Sequence, residues 1–340
     1  MALRDTHVTM AHGGGGRAMR DLIEEVFTAV FRPPGMEDQA RLTTEALQAP
    51  GARLAFTTDS FVVAPPEFPG GDIGRLAVCG TINDLAVGGA RPLWLSAAFI
   101  LEEGTEIALL RRIVASMARE AAAAGVRIVT GDTKVVERGA ADGVFVTTSG
   151  IGVIAPGVDL AARHIRPGDA VIVNGPLGDH GAVILAARGD FALETPLQSD
   201  CAALHGLMAA VLAAAPGVRA ARDCTRGGLA SALNEMAAEA GVGVLLDEAA
   251  LPLRAEVRGV CEILGLDPLY LANEGRLVLV CPSDQAGAAL AALRALPHGD
   301  GACIVGHAVA DHPAQVRMTG LFGGSRIVDM LVGDQLPRIC

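Results

Sequence analysis

The sequence predicts a mixed α/β (α+β) protein of two domains, on three observations. Segments with the two-residue period of strands alternate with segments of helical period in both halves, so strands and helices share the same layers. Four chain breakers, Pro156, Gly157, Pro167 and Gly168, mark a boundary within 155–168. At 340 residues the chain is long for one domain and comfortable for two, each burying its own core. No short solenoid repeat or low-complexity linker interrupts this pattern.

The elements follow in order. A glycine run, Gly13 to Gly16, leads into an amphipathic helix over 17–31, closed by Pro33-Pro34-Gly35. Residues 53–59 read as a strand ending in an acid. Helices are expected at 74–88 and 105–124; the second sets Ile107, Leu110, Ile113, Val114, Met117 and Ala121 on one face. A β-branched strand over 126–130 runs into a turn, Gly131-Asp132-Thr133-Lys134, and 144–154 forms another strand. The second half opens with strand 170–174 and a helix from His180, followed by alanine-rich helices at 202–214 and 226–240. Strands at 243–246, 276–281 and 302–309 enclose helices at 253–264 and 284–295. Residues 321–340 are expected to be a mobile tail, with Gly323, Gly324 and Gly333 as hinges and Cys340 at its end.

Composition narrows the function. A net charge of −11 argues against nucleic acid as a partner, since that surface is basic. It leaves room for a phosphate substrate neutralised locally by magnesium. Apolar runs such as Leu207 to Ala215 fall well short of the roughly 20 residues that span a bilayer. No basic segment followed by an apolar one opens the chain, which reads as cytoplasmic. Seven cysteines form no CxxC pair and suit reduced thiols, and the eight histidines show no metal-site spacing.

Several groups have chemical potential. Asp59, Asp84, Asp132 and Asp223 stand beside small residues at element ends, where hard oxygen ligands for magnesium can converge. Each is equally an ordinary turn or capping acid, Asp223 above all because Thr225 and a helix follow. The run Gly13, Gly14, Gly15 and Gly16 can wrap phosphates through backbone N–H groups, or be a flexible arm. Lys134 supplies a cation or a base, or only an ion pair. Glu274 precedes strand 276–281, where a catalytic group and a solvated turn residue look alike. The thiol of Cys340 sits on the last residue, where it can travel. From Gly333 the tail spans about 25 Å at roughly 3.3 Å per residue. Pro337 stiffens the approach, and Arg338 is placed to stabilise the thiolate.

Taken together, Thr58-Asp59-Ser60, Cys79-Gly80-Thr81-Ile82-Asn83-Asp84-Leu85, Gly131-Asp132-Thr133-Lys134-Val135-Val136, Leu177-Gly178-Asp179-His180-Gly181, Arg222 to Gly228, Ala272-Asn273-Glu274-Gly275 and Pro337 to Cys340 resemble one family over the whole chain. It is the HypE family of carbamoyl dehydratases in NiFe-hydrogenase maturation, within the PurM-like (aminoimidazole-ribonucleotide-synthetase-like) ATP-binding superfamily. Departures are local: Gly13 to Gly16 replaces a Gly-Ser-Gly-Gly pattern, and Cys224 stands where alanine is common.

The resemblance implies a PurM-like two-domain architecture. It would comprise a glycine-rich segment and helix (1–50), an ATP-binding and dimerising domain (51–157), a C-terminal α/β domain (158–320) and the tail (321–340). It implies that Cys340 takes a carbamoyl group from a HypF-type carbamoyltransferase. ATP then dehydrates the thiocarbamate to a thiocyanate, and cyanide passes to iron on a HypC–HypD scaffold. ATP would lie against Gly13, Gly14, Gly15, Gly16, Asp59, Asn83, Asp84, Thr130, Gly131, Asp132 and Asp223, with Mg2+ on Asp59, Asp84, Asp132 and Asp223. Lys134 and Glu274 would orient the carbamoyl nitrogen and move its protons. A homodimer through the N-terminal halves would use strands 53–59 and 144–154. Two rivals remain: a selenophosphate-synthase-like or thiamine-monophosphate-kinase-like enzyme, and a non-catalytic carrier that binds ATP only for shape.

Overall fold

The computed structural model describes residues 5–33, 39–189, 195–333 and 338–340. In the first half, α1 (Arg17–Leu22) continues through a π-helical stretch, Ile23–Thr28, into α2 (Ala29–Phe31). The wider turn sets Leu22, Val26 and Phe27 on the buried side, and Arg32 ends the helix in the left-handed region (φ 49°). Then come β1 (Arg53–Phe61), β2 (Glu67–Phe68), β3 (Gly71–Asp72), α3 (Ile73–Val87), β4 (Ala90–Glu102), α4 (Ile107–Ala123), β5 (Arg127–Val136) and β6 (Val144–Ile154). The second half holds β7 (Ala170–Val173), α5 (Asp179–Arg188), α6 (His205–Ala214), β8 (Ala220–Asp223), α7 (Gly228–Ala240), β9 (Gly243–Asp247), α8 (Ala255–Leu264), β10 (Leu277–Cys281), α9 (Ala286–Arg294), β11 (Cys303–Val309), β12 (Val316–Thr319) and β13 (Ser325–Val328).

Two mixed sheets organise these elements. The first runs β1-β6-β4-β5, with β4 and β5 parallel and the other pairs antiparallel. Helices α3 and α4 cover its inner face, and all six apolar residues of the expected α4 stripe are buried. Each large one contributes roughly 1.5–3 kcal/mol, which fixes α4 against α3. The outer face stays open: Leu54 and Phe56 are 58% and 71% exposed. The second sheet runs β13-β12-β9-β11-β7-β10-β8. The first sheet's core continues without a break into Ala182, Val183, Ile184 and Leu185 of α5 and Val257 and Val260 of α8.

Four expectations are corrected. The central strand β4 was not foreseen, because Pro92 and the alanines at 97 and 98 weaken the strand signal. Packing on both sides supplies what propensity lacks. Gly131-Asp132-Thr133-Lys134 is not a turn but the middle of β5. A Cβ at Gly131 would lie 2.1 Å from the Ala97 carbonyl oxygen, so this glycine permits close strand approach rather than reversal. Strands β8, β12 and β13 were also missed, and β13 pairs with β12 in the second sheet. That pairing removes residues 325–328 from the expected tail and makes Gly323-Gly324 the link of a hairpin rather than a hinge.

The end of the chain is docked, not free. The Val62 N–H donates to the Cys340 carbonyl (3.0 Å) and the Ala64 N–H to the Arg338 carbonyl (3.3 Å). The Ile339 side chain is buried in the core shared by the two halves. Pro34, Gly35 and Pro337 lie outside the described residues.

Candidate active site

Helix α3 is the spine of the site. Asp72 caps it by accepting the Gly74 and Arg75 N–H groups (2.8 and 2.9 Å). Gly80 brings it against β1, since a Cβ there would lie 2.9 Å from the Phe61 ring. That approach sets Asp84, in the last turn, beside the inner face of β1, where Thr57 Oγ1 donates to Asp84 Oδ2 (2.7 Å). An acid at a helix C-terminus opposes the macrodipole at a cost of roughly 0.3–1 kcal/mol, so folding alone does not favour it there. Asn83 faces the second half: its Nδ2 donates to the Ala202 carbonyl (3.0 Å), and its Oδ1 accepts the Leu204 N–H (2.7 Å).

Three of the four predicted metal acids share one electrostatic neighbourhood. Asp59, near the end of β1, accepts the Ser60 N–H (2.8 Å). Asp223 ends β8. It is not a cap, because α7 has Gly227 as its N-cap with no side-chain bond. Burial, then the Asp84 and Asp59 carboxylates, push Asp223 up to about 7. Burial also raises Asp84, with Asp59 adding repulsion, while Thr57 opposes the rise. Asp59 is raised by burial against the Ser60 N–H and Arg226.

Glu274 completes this side. Its backbone N–H and that of Gly275 donate to the two oxygens of buried Asp200 (3.1 and 3.2 Å). A Cβ at Gly275 would lie 1.8 Å from the Asp200 carbonyl oxygen, so only glycine permits this turn. The Glu274 carboxyl is buried, and its Oε1 has no hydrogen-bond partner. Burial first, then Asp200, Asp223 and Asp59, raise it well above the usual carboxylate range. The thiol of Cys340 lies in the same field. Burial, then Glu274, push it up to about 12, against the pull of Arg226. The expectation that Arg338 stabilises the thiolate is therefore corrected: its guanidinium pairs with Asp142 and lies 5.8 Å from the Phe145 ring centre.

Asp132 and Lys134 are elsewhere. They alternate with buried Thr133 on β5, so they point from the open face, on the edge strand opposite β1. Lys134 Nζ donates to both Asp132 oxygens (2.8 and 2.7 Å), which holds Asp132 below the usual carboxylate range. Within one chain the structure does not join Asp132 to the other acids or Lys134 to Glu274. The glycine run belongs with this second group: Gly13 packs so tightly on β5 that a Cβ would meet Val135 at 2.8 Å, while Gly15 and Gly16 face open space. Thr130, Gly131 and Asp132 also line a cavity of about 410 Å3 whose other walls include Phe27, Phe31 and Arg41.

Each chain thus carries two half-sites, one acidic with the thiol, one apolar with a cation. The sequence reading missed Asp200, His180 and Arg226 as site residues. Ser199-Asp200 looks like any loop, and Arg226 was visible only as part of a turn motif.

Comparison with known proteins gives the lineage. Residues 36–154 match the N-terminal domain of AIR synthase related proteins, and residues 166–318 match the C-terminal domain. The chain is 77% identical to carbamoyl dehydratase HypE of Rhodobacter capsulatus over 340 residues, covering 100% of both. It is similar to a crystal structure of hydrogenase maturation protein HypE in complex with ATP, with 45% identity and a TM-score of 0.92 over 98% of this chain and 99% of that one. It is also similar to a chain in a HypE–HypF complex, with 43% identity and a TM-score of 0.79 over 91% and 99%. The chain belongs to the carbamoyl dehydratase HypE family, within the AIR synthase related proteins.

Proposed function

We propose that this protein is an ATP-dependent dehydratase that converts a carbamoyl group on the Cys340 thiol to a thiocyanate, the source of a cyanide ligand for hydrogenase iron. The observation that carries this reading is the docked thiol in the shared field of Glu274, Asp59 and Asp223. A group attached there would sit in the field of the acidic half-site.

The residues fit magnesium triphosphate. Three carboxylates raised by burial, with Asp59 adding to the rise of Asp84 and both adding to that of Asp223, call for a cation. Among the described residues no three acids lie close enough to hold an ion alone. A metal at Asp59, Asp84 and Asp223 would therefore take other ligands from phosphate and water, as magnesium usually does. ATP would supply the phosphoryl group that turns the carbamoyl oxygen into a leaving group. The cavity walled by Phe27 and Phe31 suits its base, and the open N–H groups near Gly15 and Gly16 suit phosphate. Glu274, with one oxygen unpartnered, is placed to bind the carbamoyl nitrogen and exchange protons with it.

The two half-sites meet if two copies pair through their open sheet faces, where Leu54 and Phe56 already require cover. Where the β5 edge of one copy lies beside the β1 edge of the other, Lys134 of the first would approach the acids and Glu274 of the second. Further partners are a HypF-type carbamoyltransferase, in keeping with the HypE–HypF relative, and a HypC–HypD scaffold as acceptor. The seven free thiols suit a reducing compartment, and we assign the protein to the cytoplasm. Among the described residues no helix is long and apolar enough to cross a membrane.

Mixing two inactive variants tests this arrangement. Lys134→Ala and Asp84→Ala proteins, dissociated and re-paired in equal amounts, should recover about a quarter of the wild-type sites, because half the pairs are hybrids with one intact site each. No recovery from mixtures shown to contain hybrids would refute the shared site.

A further inference from the structure

Leu177-Gly178-Asp179-His180-Gly181 has no task in the dehydration chemistry, yet His180 touches the carrier directly. It is the second residue of α5 and is 0% exposed. Its Nε2 lies 2.8 Å from the Ile339 carbonyl oxygen, on the residue that precedes Cys340. A carbonyl oxygen only accepts, so Nε2 carries the hydrogen. Nδ1 lies 2.8 Å from Ser199 Oγ, which also accepts the Cys201 N–H (3.2 Å). In a neutral ring Nδ1 must accept, so the Ser199 hydroxyl donates to it. Burial lowers the His180 pKa and keeps the ring neutral. The Phe68 ring meets the imidazole edge-on at 5.5 Å and 83°, leaving it little room to swing. Tautomer and orientation are thus set by Ser199 and Phe68, and the remaining donor serves the tail. At the far end of α5, Arg188 donates to the Arg338 carbonyl (2.7 Å) and the Ala64 carbonyl (3.1 Å).

We propose that His180 is the positioning residue for the carrier: its Nε2–H to the Ile339 carbonyl latches the tail inward and sets how often Cys340 is available outside. The link from latch to catalysis rests on the dehydratase reading; the latch itself does not. A tail that must both load outside and react inside needs a hold that is firm yet reversible. One buried hydrogen bond changes that equilibrium by roughly fivefold.

Labelling with N-ethylmaleimide, read by mass spectrometry of the cysteine peptides, tests the latch without ATP or a partner. His180→Phe keeps an aromatic ring and loses the donor; His180→Gln restores an N–H donor at similar reach. Cys340 in the Phe variant should label about fivefold faster, with Cys224 and Cys261 unchanged and the Gln variant near wild type. Single-turnover dehydration of the preloaded Phe variant should stay close to wild type, because a tail docked nearly all the time remains mostly docked after a shift of about fivefold. Unchanged Cys340 labelling, equal acceleration at Cys224 and Cys261, or a Gln variant as fast as Phe would each overturn the latch. Should the Phe variant not fold, Ser199→Ala, which removes only the hydroxyl that orients the ring, must speed Cys340 labelling in the same way. If labelling responds as described but wild-type protein neither loads nor dehydrates, the latch stands and the dehydratase reading falls.

Discussion

Neutralising one acid should make the protein more stable and less active at the same time. In the unfolded chain the Asp223 carboxyl ionises near its ordinary 3.8, whereas in the folded protein it keeps its proton up to about 7. The native state therefore binds more protons between those values. Stability falls as pH rises through that window and is level above it. A shift of about three units corresponds to ~4 kcal/mol at full strength. Asp223 is only half-buried by its surface exposure, and solvent screening there reduces this to about 2 kcal/mol. Over 340 residues the unfolding entropy is roughly 0.7 kcal/mol/K, so Asp223→Asn should melt about 3 °C higher than wild type at pH 8. The gap should shrink as pH falls toward 5. Differential scanning calorimetry without nucleotide measures it, and Mg2+ should raise wild type more than the variant. The same substitution should abolish ATP-dependent dehydration. A variant that melts at or below wild type at pH 8 would refute the idea that these acids repel one another in a site built for a cation.

Other substitutions separate the roles. Asp84→Ala and Asp223→Ala proteins should still accept a carbamoyl group yet fail to dehydrate it, with losses of several kcal/mol in the transition state; wild-type turnover in both would remove the metal assignment. Lys134→Ala and Glu274→Ala should slow nitrile formation by roughly 10²–10⁴-fold while nucleotide affinity, measured by calorimetry, holds. Loss of affinity with intact chemistry would make either residue a phosphate contact. Cys340→Ala should bind ATP normally and take up no carbamoyl group, and carbamoyl mass on an internal cysteine would contradict that.

Much of this was legible in the sequence. The α4 stripe, the breaker cluster between the halves and most helices of the second half follow from periodicity and turn chemistry, which are local. Strand β4 was hidden because its stability comes from neighbours on both sides rather than from its own residues. The Gly131 to Lys134 segment misled because glycine beside an acid signals a turn, whereas here glycine answers a carbonyl on the adjacent strand. For the site, the acids were legible singly, but not that Asp132 faces away from the other three. Facing depends on strand phase and sheet order, and neither is written in a motif. Asp200 stood outside every motif, and His180 stood within one without a visible role, because their partners lie 74 and 159 positions away.

The most direct test follows the mass of the C-terminal peptide. Wild-type protein is carbamoylated at Cys340 by its carbamoyltransferase, freed of that enzyme, and given MgATP. The expected result is loss of one water from the Cys340 peptide, in step with ADP formation and absent with a non-hydrolysable nucleotide. Persistence of the carbamoyl mass while ATP is consumed, or water loss without nucleotide, would contradict ATP-dependent dehydration on this thiol.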